Sequence, residues 1–448
     1  MGILDKIEAA GVVGCGGAGF PTCKKLQGGM EYLIVNGAEC EPLLRTDRFL
    51  MLNEAPRLVR TIAALGAEVG AAHCVIAVKR HYREEIAALR QAIEAACAAI
   101  AIHELESFYP AGDEVTVVYE VTGRVVPPAG LPISVGAVVD NVATIYAISQ
   151  AMEDIPFTHK YLTVTGEVRR PVILRVPVGT RYRDCLELAG GVLRESCSVV
   201  TGGPMMGRPM SMEETENAVV TKTTSGILVL PPEGPYARGG GMDLTGMFRR
   251  ARAACIQCSL CSQLCPRHML GHPLEPHRIM RKAAVSGDIR ELLNDADIQR
   301  AQLCCECGVC ETYACPMGLQ PRQINRAIKA ELAAAGIRCR IPSDAAWEAS
   351  ACRVYRKAPS DRIAARAGVW KYSGYEIREL LEGAPERVEI PVKMHIGAPA
   401  VPVVAPGDRV SAGQLIARVP EEALGAPVHA SIGGRVESVG RRIVIIGE

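Results

Sequence analysis

Cys255-Ile-Gln-Cys258-Ser-Leu-Cys261-Ser-Gln-Leu-Cys265-Pro266 is the stretch that decides the fold of the central part of this chain. A second run, Cys304-Cys305-Glu-Cys307-Gly-Val-Cys310, is followed after four residues by Cys315-Pro316. Two-residue spacings place three thiolates on one tight turn, where they bind one face of an iron–sulfur cubane, while the fourth cysteine, before a proline, turns away and binds the other cluster. The sequence therefore predicts two [4Fe–4S] clusters with crossed ligands: Cys255, Cys258, Cys261 and Cys315 bind one, and Cys304, Cys307, Cys310 and Cys265 bind the other.

Other uses of cysteine fit these runs less well. Structural zinc binds two C-x2-C pairs, whereas each run here offers three closely spaced cysteines and a fourth before proline. The 18 cysteines in 448 residues are too few for a disulfide scaffold, and no signal peptide is recognised at the start. Cys305 does not fit the regular spacing, so we expect a buried small residue beside the ligands, with a ligand role as the alternative.

Composition excludes several classes of function. The chain has 50 basic and 49 acidic residues and a net charge of +1, without a basic tract, so neither nucleic acid nor an anionic membrane surface is an expected partner. No apolar run approaches the roughly 18 residues that cross a bilayer. We therefore expect a cytosolic protein of about three or four domains, in a reducing compartment that suits oxygen-sensitive clusters.

The N-terminal region has the pattern of an α/β domain, which we place at residues 1–156. Apolar periodicity predicts strands at 32–35, 74–79 and 115–121 and helices at 55–66, 84–101 and 142–152. Before these elements, the glycines between Gly14 and Gly19 allow a sharp turn or a close approach to a ligand. They satisfy G-x-G-x-x-G, but only two valines precede them and Pro21 interrupts the helix that a dinucleotide-binding fold needs. A Rossmann site is therefore disfavoured.

The glycine loop and the motifs after it resemble the flavin-binding segment shared by the complex I flavin subunit and the Rnf complex C subunit. The matching elements are Gly14 to Lys25, Asn36-Gly-Ala-Glu39-Cys-Glu41-Pro42, Asp47-Arg-Phe-Leu50-Met51, Tyr109-Pro110-Ala-Gly112-Asp-Glu114 and Asp140-Asn141-Val-Ala-Thr144. The resemblance implies bound flavin mononucleotide (FMN), held by backbone N–H groups, a cation and polar side chains. The implied cofactor-binding residues are Gly14, Gly16, Gly17, Lys25, Asn36, Glu39, Glu114, Asn141 and Thr144.

Four further segments follow the flavin-type domain. Residues 157–240 resemble the SLBB module, a ubiquitin-like β-grasp. Residues 241–340 are expected to form an α-helical ferredoxin-like domain around the twin clusters, and residues 341–390 a polar, arginine-rich helical linker. Residues 391–448 are rich in glycine and β-forming residues and resemble an all-β barrel-sandwich hybrid. The loop Pro420 to Pro427 contains no carrier lysine, so we expect this domain to serve as a packing module.

The order of these domains favours one family. An Rnf C subunit carries its barrel-sandwich domain before the flavin-type domain, whereas this chain has it last. That order, with Gly271-His-Pro-Leu-Glu-Pro-His-Arg-Ile-Met280 and the N-terminal motifs, makes the chain similar to the cobalamin reductases of propanediol-utilisation microcompartments. The resemblance implies NADH as donor and a cobalamin or other corrinoid as substrate. It also implies a place inside a bacterial microcompartment, with a cobalamin adenosyltransferase and shell proteins as partners.

The activity implied by the resemblance is that of a flavo-iron–sulfur reductase. A flavin accepts the two electrons of a hydride, whereas a cubane carries single electrons and cobalt changes oxidation state in single steps. Two alternatives stay open on the sequence alone. One is a related NADH reductase with another acceptor, and the other is an electron-transfer subunit that docks on a larger complex, as the Rnf C subunit does.

Overall fold

A four-stranded parallel sheet forms the centre of the N-terminal α/β domain. The computed structural model describes residues 2–194, 196–237, 243–286, 288–342 and 345–448. The strands of this sheet run in the order Ile100–Leu105, His73–Lys79, Tyr32–Gly37 and Ala137–Asn141. Its helices are Ile3–Ala9, Thr22–Lys25, Thr46–Asn53, Ala55–Val69, Arg83–Ala95, Glu114–Thr122 and Val142–Met152, with a 3-10 turn at Pro132–Val135. Leu33 and Val35 pack into one apolar layer and Ile34 into another, so the sheet is buried on both faces, as a parallel sheet requires.

The segment 115–121 is helical, so its prediction as a strand is wrong. It lies in the helix Glu114–Thr122, which begins after Asp113 and ends before Gly123. The carboxylate of Asp113 accepts the N–H of Thr116 at 3.1 Å, and Gly123 has a φ of +72°. These two caps, together with burial of the helix against the sheet, outweigh the β propensity of the valines inside it.

The other predictions for this domain are confirmed apart from one helix end. The confirmed elements are the strands predicted at 32–35 and 74–79 and the helices predicted at 55–66 and 142–152. The helix predicted at 84–101 ends at Ala95, because the chain reverses at Cys97, which has a φ of +46°. Residues 100–105 then form an edge strand of the sheet.

The strand order creates a crevice beside the strand Tyr32–Gly37. The chain continues from this strand to His73–Lys79 on one side, whereas Ala137–Asn141 lies on its other side. Connections therefore leave the carboxyl ends of these two neighbouring strands in opposite directions, which is where open α/β sheets bind ligands. Asn36 and Asn141 are direct partners in the register there.

A six-stranded mixed sheet forms the β-grasp domain. Its strands run in the order Leu380–Glu382, Val172–Pro177, His159–Gly166, Gly226–Leu230, Ser198–Thr201 and Arg208–Met210. Its helices are Tyr182–Leu188 and Met212–Glu216, with a 3-10 turn at Pro235–Ala237. Cys185 and Leu186 of the first helix fill the core below the sheet. The predicted boundary between residues 240 and 241 lies outside the described residues.

Short helices frame the two cysteine runs, as predicted. The α-helices are Leu244–Ala254, Leu260–Gln263, Pro266–Met269, Pro276–Ser286, Ala296–Gln299 and Pro321–Ala334, with 3-10 turns at Arg290–Leu292 and Arg300–Leu303 and a π-helical turn at Val309–Ala314. Ile279, Ile324 and Ile328 form part of their common core. None of the described helices in the chain is both long enough and apolar enough to cross a membrane.

The segment 341–390 is mostly irregular, which corrects the prediction of a helical linker. Its described part contains the helix Ser360–Arg366 and 3-10 turns at Ala351–Tyr355 and Trp370–Tyr372. The strand Ala358–Pro359 pairs with Phe108–Tyr109, and Leu380–Glu382 joins the β-grasp sheet. Contacts with other domains hold this segment in place. For example, Arg353 forms an ion pair of 2.5 Å with Glu120 of the flavin-type domain. The segment therefore does not need helical structure of its own.

The C-terminal domain consists of two small sheets packed face to face. One has the order Arg387–Pro391, Arg442–Gly447, Gly434–Val439 and Arg409–Val410, and the other has the order Val401–Pro402, Leu415–Arg418 and Val428–His429. Ile390, Ile416 and Ile443 lie in the core between them. The first strand begins at Arg387, before the predicted domain start at 391.

Lys222 joins the β-grasp domain to both ends of the chain. Its ammonium is buried and donates hydrogen bonds to the carbonyl oxygens of Gly11, at 2.7 Å, and Pro427, at 3.0 Å. Burial lowers the pKa of Lys222 to about 7. The C-terminal domain also contacts the glycine loop, because the N–H of Ile396 donates to the carbonyl of Gly19 at 3.2 Å. The C-terminal domain thereby closes one side of the flavin-type domain.

Candidate flavin and iron–sulfur site

A cavity of about 610 Å³ lies at the crevice beside the carboxyl ends of the strands Tyr32–Gly37 and Ala137–Asn141. The nine residues that were predicted to bind the flavin all line it: Gly14, Gly16, Gly17, Lys25, Asn36, Glu39, Glu114, Asn141 and Thr144. The fold thus brings together residues from four separate motifs. Their meeting point is the position where an open α/β sheet binds its ligand.

The other domains also contribute to the walls of this cavity. Lys160 and Met206 come from the β-grasp domain, Cys305 and Cys307 from the second cysteine run, and Ile396 from the C-terminal domain. Residues of four domains therefore line the cavity. The second cysteine run is in direct contact with the space that the flavin residues surround.

The glycine loop lies over the start of the helix Val142–Met152. The N–H of Cys15 donates to the hydroxyl of Thr144 at 2.9 Å. A Cβ atom on Gly16 would lie 3.0 Å from the Cβ of Asn141, whereas a Cβ on Gly17 would meet no heavy atom within 4 Å. Gly16 is therefore needed for close packing, and Gly17 leaves the backbone open to a ligand, which is the arrangement expected for phosphate binding by backbone amides.

A carboxylate network lies between two of the predicted flavin residues. Asn141 donates from its amide to Asp47 at 2.6 Å, and its amide oxygen accepts the N–H of Ala143 at 2.9 Å. Glu39 accepts the N–H groups of Asp47, at 3.1 Å, and Arg48, at 3.2 Å, so it caps the helix Thr46–Asn53. Burial, followed by the charge of Glu39, raises the pKa of Asp47 to about 7. Asp47 can therefore take up or release a proton near neutral pH.

Lys25 is held by two acidic side chains and a carbonyl. Its ammonium lies 2.7 Å from Glu114 and 3.7 Å from Asp140, and it donates to the carbonyl of Val139. Burial raises the pKa of Asp140 to about 6, although Lys25 opposes this shift. The second carboxylate oxygen of Asp140 is buried and has no hydrogen-bond partner among the described residues. An unsatisfied polar atom at a cavity wall fits a site that receives a polar ligand.

Asn36 positions the backbone at the end of its strand. Its side-chain amide donates to the carbonyl of Gly112 at 2.8 Å, and its amide oxygen accepts the N–H of Ala38 at 3.1 Å. A Cβ on Gly112 would lie 3.0 Å from the sulfur of Cys40. Asn36 and Gly112 thus hold two motifs together beside the cavity.

The two cysteine runs share one backbone conformation. Gln257 and Ser259, on either side of Cys258, have φ values of +56° and +59°. Glu306 and Gly308 take φ values of +59° and +80° on either side of the corresponding cysteine of the second run. Left-handed residues are uncommon outside glycine, and alternating right- and left-handed residues form the concave nests found at many Fe–S sites. Backbone and donor atoms therefore fit a cubane at each run.

Cys315 lies with the first cysteine run. The pKa of Cys261 is raised to about 12, first by burial and then by the thiolates of Cys315, Cys255 and Cys258. Charges shift a pKa in this way only from nearby positions, so the sulfurs of Cys315, Cys255 and Cys258 lie in the neighbourhood of Cys261. The fourth cysteine of the second run is therefore placed beside the three closely spaced cysteines of the first.

Cys265 lies with the second run in the same way. Burial raises the pKa of Cys265, and the nearby thiolates of Cys305 and Cys304 add to this effect. Within the described ranges, no three His, Cys, Asp or Glu side chains are arranged to hold one metal ion, so the fit of a cluster is judged from the thiol donors and the backbone. The thiols and the backbone suit a cluster at each run, and crossed ligation by Cys265 and Cys315 stays a prediction.

An ion pair links the end of the first cysteine run to the cavity. Arg267 donates to both carboxylate oxygens of Asp113, at 2.5 and 3.0 Å, and Asp113 lines the cavity. A hydrogen bond with Cys307, together with the charge of Arg267, lowers the pKa of Cys305 against the effect of burial. Cys305 is only partly buried and lies beside a predicted ligand, at the cavity wall.

Sequence reasoning missed five residues of this site. Asp47, Asp113 and Asp140 stand inside the flavin motifs, and their position at the ends of secondary-structure elements was the signal that could have identified them. Lys160 and Arg267 come from other domains. No local pattern in the sequence marks them, because their neighbours are far away along the chain.

Comparison with protein families divides the chain into four parts. Residues 7–150 match the Nuo51 FMN-binding domain, residues 161–209 the SLBB domain, residues 254–320 the 4Fe-4S dicluster domain, and residues 376–448 the RnfC barrel sandwich hybrid domain. Together with the sheets and helices described above, these matches confirm the predicted fold class. They also confirm a flavin-type and an iron–sulfur domain in one chain.

Two relatives match over nearly the whole length. The cobalamin reductase PduS of Salmonella typhimurium is 42% identical over 447 residues, which is 99% of this chain and 96% of that protein. The cobalamin reductase PduS of Citrobacter freundii is 40% identical over the same shares. The C subunit of the proton-translocating ferredoxin:NAD(+) oxidoreductase complex of Clostridium ljungdahlii is 32% identical over 60% of this chain and 56% of its own length.

Proposed function

Because this chain belongs to the family of the cobalamin reductase PduS, we propose that it is an NADH-dependent corrinoid reductase that reduces cob(III)alamin and cob(II)alamin for reactivation of the cofactor. The chain is an electron-transfer oxidoreductase with an FMN-binding domain and a 4Fe-4S dicluster domain. To this the proposal adds NADH as the electron donor, a corrinoid as the substrate and two as the number of [4Fe–4S] clusters.

One observation carries this proposal more than any other. The cavity lined by the nine predicted flavin residues is also lined by Cys307, a predicted ligand of the second cluster. Electron transfer between a flavin and a cluster is faster when the two sites are close, and here a predicted cluster ligand lines the flavin cavity. This supports one continuous redox unit within a single chain.

The residues of the cavity would bind and orient the flavin and supply protons. When bound, FMN supplies the conversion between a hydride's electron pair and single electrons. The backbone at Gly17 would face its phosphate, and Asn141 would lie along its polar edge. The carboxyl of Asp47, 2.6 Å from the amide of Asn141 and with a pKa raised to about 7, would hold a proton at the cavity wall.

The eight cysteines of the two runs would bind the clusters. Cys255, Cys258, Cys261 and Cys315 would hold one, and Cys265, Cys304, Cys307 and Cys310 the other. The thiol of Cys258 is exposed, whereas Cys307 is buried at the cavity. The cluster of the first run would therefore be the one that faces an external acceptor.

The family context extends the proposal to location and partners. We place the protein inside a bacterial microcompartment, where a cobalamin adenosyltransferase would take up the reduced corrinoid and shell proteins would be neighbours. Co-purification of intact microcompartments with the tagged chain tests the location, and absence of the chain from them would contradict it.

An anaerobic assay with the purified chain tests the activity. NADH and cob(III)alamin are mixed with the protein, and the corrin absorbance is followed alongside that of the flavin and clusters. We expect corrin reduction that depends on NADH and that is lost in Cys307→Ala. Reduction of flavin and clusters without corrin reduction would contradict the proposal and favour another acceptor or an Rnf-type electron-transfer subunit, which the match of the C-terminal domain to RnfC supports.

A further inference from the structure

The cavity is lined by three lysines, and their ion pairs differ. Lys24 lies 3.0 Å from Glu8, and Lys25 lies 2.7 Å from Glu114. The ammonium of Lys160 forms no hydrogen bond and no ion pair with any other residue in the part of the chain that the structure describes. Lys160 as a whole is only 3% exposed, although its side chain lines the cavity. The charge of Lys160 is therefore the least neutralised positive charge at this site.

A lysine that is buried along most of its length and has no partner for its ammonium is costly unless a ligand supplies the missing negative charge. Lys160 lowers the pKa of the neighbouring Asp47, whereas burial and the charge of Glu39 raise it, to about 7 overall. Asp47 is thus partly protonated near neutral pH and already accepts the amide of Asn141. It does not fully neutralise Lys160, so an anionic ligand group in the cavity would meet an available cation.

Lys160 belongs to the β-grasp domain, in the strand His159–Gly166. The glycine loop and Asn141 lie in the flavin-type domain. A ligand that touched both would be clamped between two domains, with backbone amides on one side and a cation on the other. Phosphate groups suit this pair of donors, since backbone N–H groups and a lysine bind phosphate in many nucleotide sites.

We propose that Lys160 is the cation that binds the phosphate of a nucleotide held in this cavity, a role that rests on the proposed flavin and NADH function. The phosphate belongs either to FMN or to the dinucleotide donor. In both cases the role of Lys25 is different, because its charge neutralises the carboxylates of Glu114 and Asp140 at the cavity wall. The β-grasp domain then takes part directly in ligand binding.

Ligands that differ only by phosphate test this inference on the full-length protein with its clusters in place. Dissociation constants for FMN and riboflavin are measured by flavin fluorescence on flavin-depleted wild type, Lys160→Met and Lys160→Arg. Lys393→Met, an exposed lysine away from the cavity, is the matched control. Cluster absorbance and thermal unfolding verify that each variant is folded.

If the phosphate is that of FMN, Lys160→Met should weaken FMN binding by about tenfold or more, the effect of one charge-assisted hydrogen bond, with riboflavin binding unchanged. If it is that of the donor, FMN binding stays normal but the KM for NADH rises, while dihydronicotinamide riboside, which lacks phosphate, is used as before. Lys160→Arg keeps the positive charge, so in either case it should retain most of the preference for the ligand that carries a phosphate.

Equal effects of Lys160→Met on FMN and riboflavin, with equal effects on NADH and the riboside, would overturn the inference, because the lysine would then act only within the protein. Failure of the wild type to bind either flavin would instead refute the proposed function itself, and the inference with it. The two failures are therefore distinct in the same set of measurements.

Discussion

The phenol hydroxyl of Tyr109 donates a hydrogen bond of 2.7 Å to the backbone carbonyl of Cys307. Both residues line the cavity and both are buried. Tyr109 belongs to a motif of the flavin-type domain, whereas Cys307 is a predicted cluster ligand. One hydrogen bond therefore connects the wall of the flavin cavity to the backbone that carries the second cluster.

Tyr109→Phe should lower the reduction potential of the second cluster. A hydrogen-bond donor near a cluster stabilises its more negative, reduced form, and Phe keeps the ring while removing the donor. One such bond is worth about 0.5–1.5 kcal/mol, so the shift should not exceed about 65 mV for a one-electron couple. A redox titration followed by electron paramagnetic resonance measures it.

The control for this experiment is Tyr355→Phe, because Tyr355 is 87% exposed. It should leave both clusters unchanged. An unaltered potential in Tyr109→Phe, at normal iron content, would show that the hydrogen bond to Cys307 has no influence on the cluster.

Cys315→Ser should disturb the cluster of the opposite run. Cys315, Cys255 and Cys258 all raise the pKa of Cys261, so Cys315 is near the first run, and its loss should perturb that cluster and leave the other whole. Cys265→Ser should do the reverse. Iron and sulfide content should fall toward roughly half in each variant, as expected when one of two cubanes loses a ligand, and spectra should identify which cluster is affected.

Cys305→Ala is the matched control for ligand loss, since Cys305 is also a cysteine of the second run. It should retain iron and sulfide at the wild-type level. If Cys265→Ser instead damaged the cluster of the first run, each run would close its own cubane and crossed ligation would be wrong.

Motifs whose chemistry is local could be predicted from the sequence. The spacing of Cys255, Cys258 and Cys261 is set by the size of one turn. The glycines after Gly14 indicate a backbone that turns sharply or approaches a ligand closely. Each of these signals is contained in about ten residues. The remaining domains could also be predicted, because each has its own recognisable sequence pattern, and their order along the chain favoured one family.

Contacts between domains could not be predicted. Arg267 and Asp113 are separated by 154 positions, and nothing near Lys160 indicates that it reaches the flavin-type domain. The strand predicted at 115–121 was wrong for a related reason. The valines there favour β structure, but the N-terminal cap by Asp113 and the packing against the sheet stabilise a helix. Propensity is a local quantity, and the site is assembled by tertiary contacts.

Glu41→Gln should change the dependence of stability on pH. Glu41 is buried and accepts the N–H groups of Met205 and Met206, both at 2.9 Å, and burial raises its pKa from 4.5 to about 7. A raised pKa means that the folded state favours the protonated form. Its stabilising contribution is complete below pH 4.5 and is lost as the pH rises through 7, by up to about 3 kcal/mol.

Glutamine does not titrate, so the variant should lack this loss. At pH 5 it should be somewhat less stable than the wild type, because it offers one acceptor oxygen in place of two. At pH 8 the difference should shrink or reverse. Thermal unfolding of both proteins between pH 5 and 8 measures this, and Glu376→Gln, at a side chain that is 81% exposed, should show a constant offset. A constant offset for Glu41→Gln as well would exclude its titration.

The double variant Asn36→Ala with Lys25→Ala should separate the flavin from the clusters. Asn36 holds Gly112 against the end of its strand, and Lys25 neutralises Glu114 and Asp140. Without them, two carboxylates at the cavity wall would repel a flavin phosphate, and the pKa of Asp140, already raised to about 6, would lose the opposing effect of Lys25.

We expect protein that keeps the brown colour and iron content of its clusters but has lost flavin absorbance, since neither residue lies in the cysteine runs. Lowering the pH toward 5 should restore part of the FMN binding, because protonation of Asp140, whose pKa is raised to about 6, lessens the repulsion. Lys393→Ala, at an exposed lysine that does not line the cavity, serves as the control and should retain flavin. Undiminished flavin in the double variant at pH 7.5 would place the flavin outside this cavity.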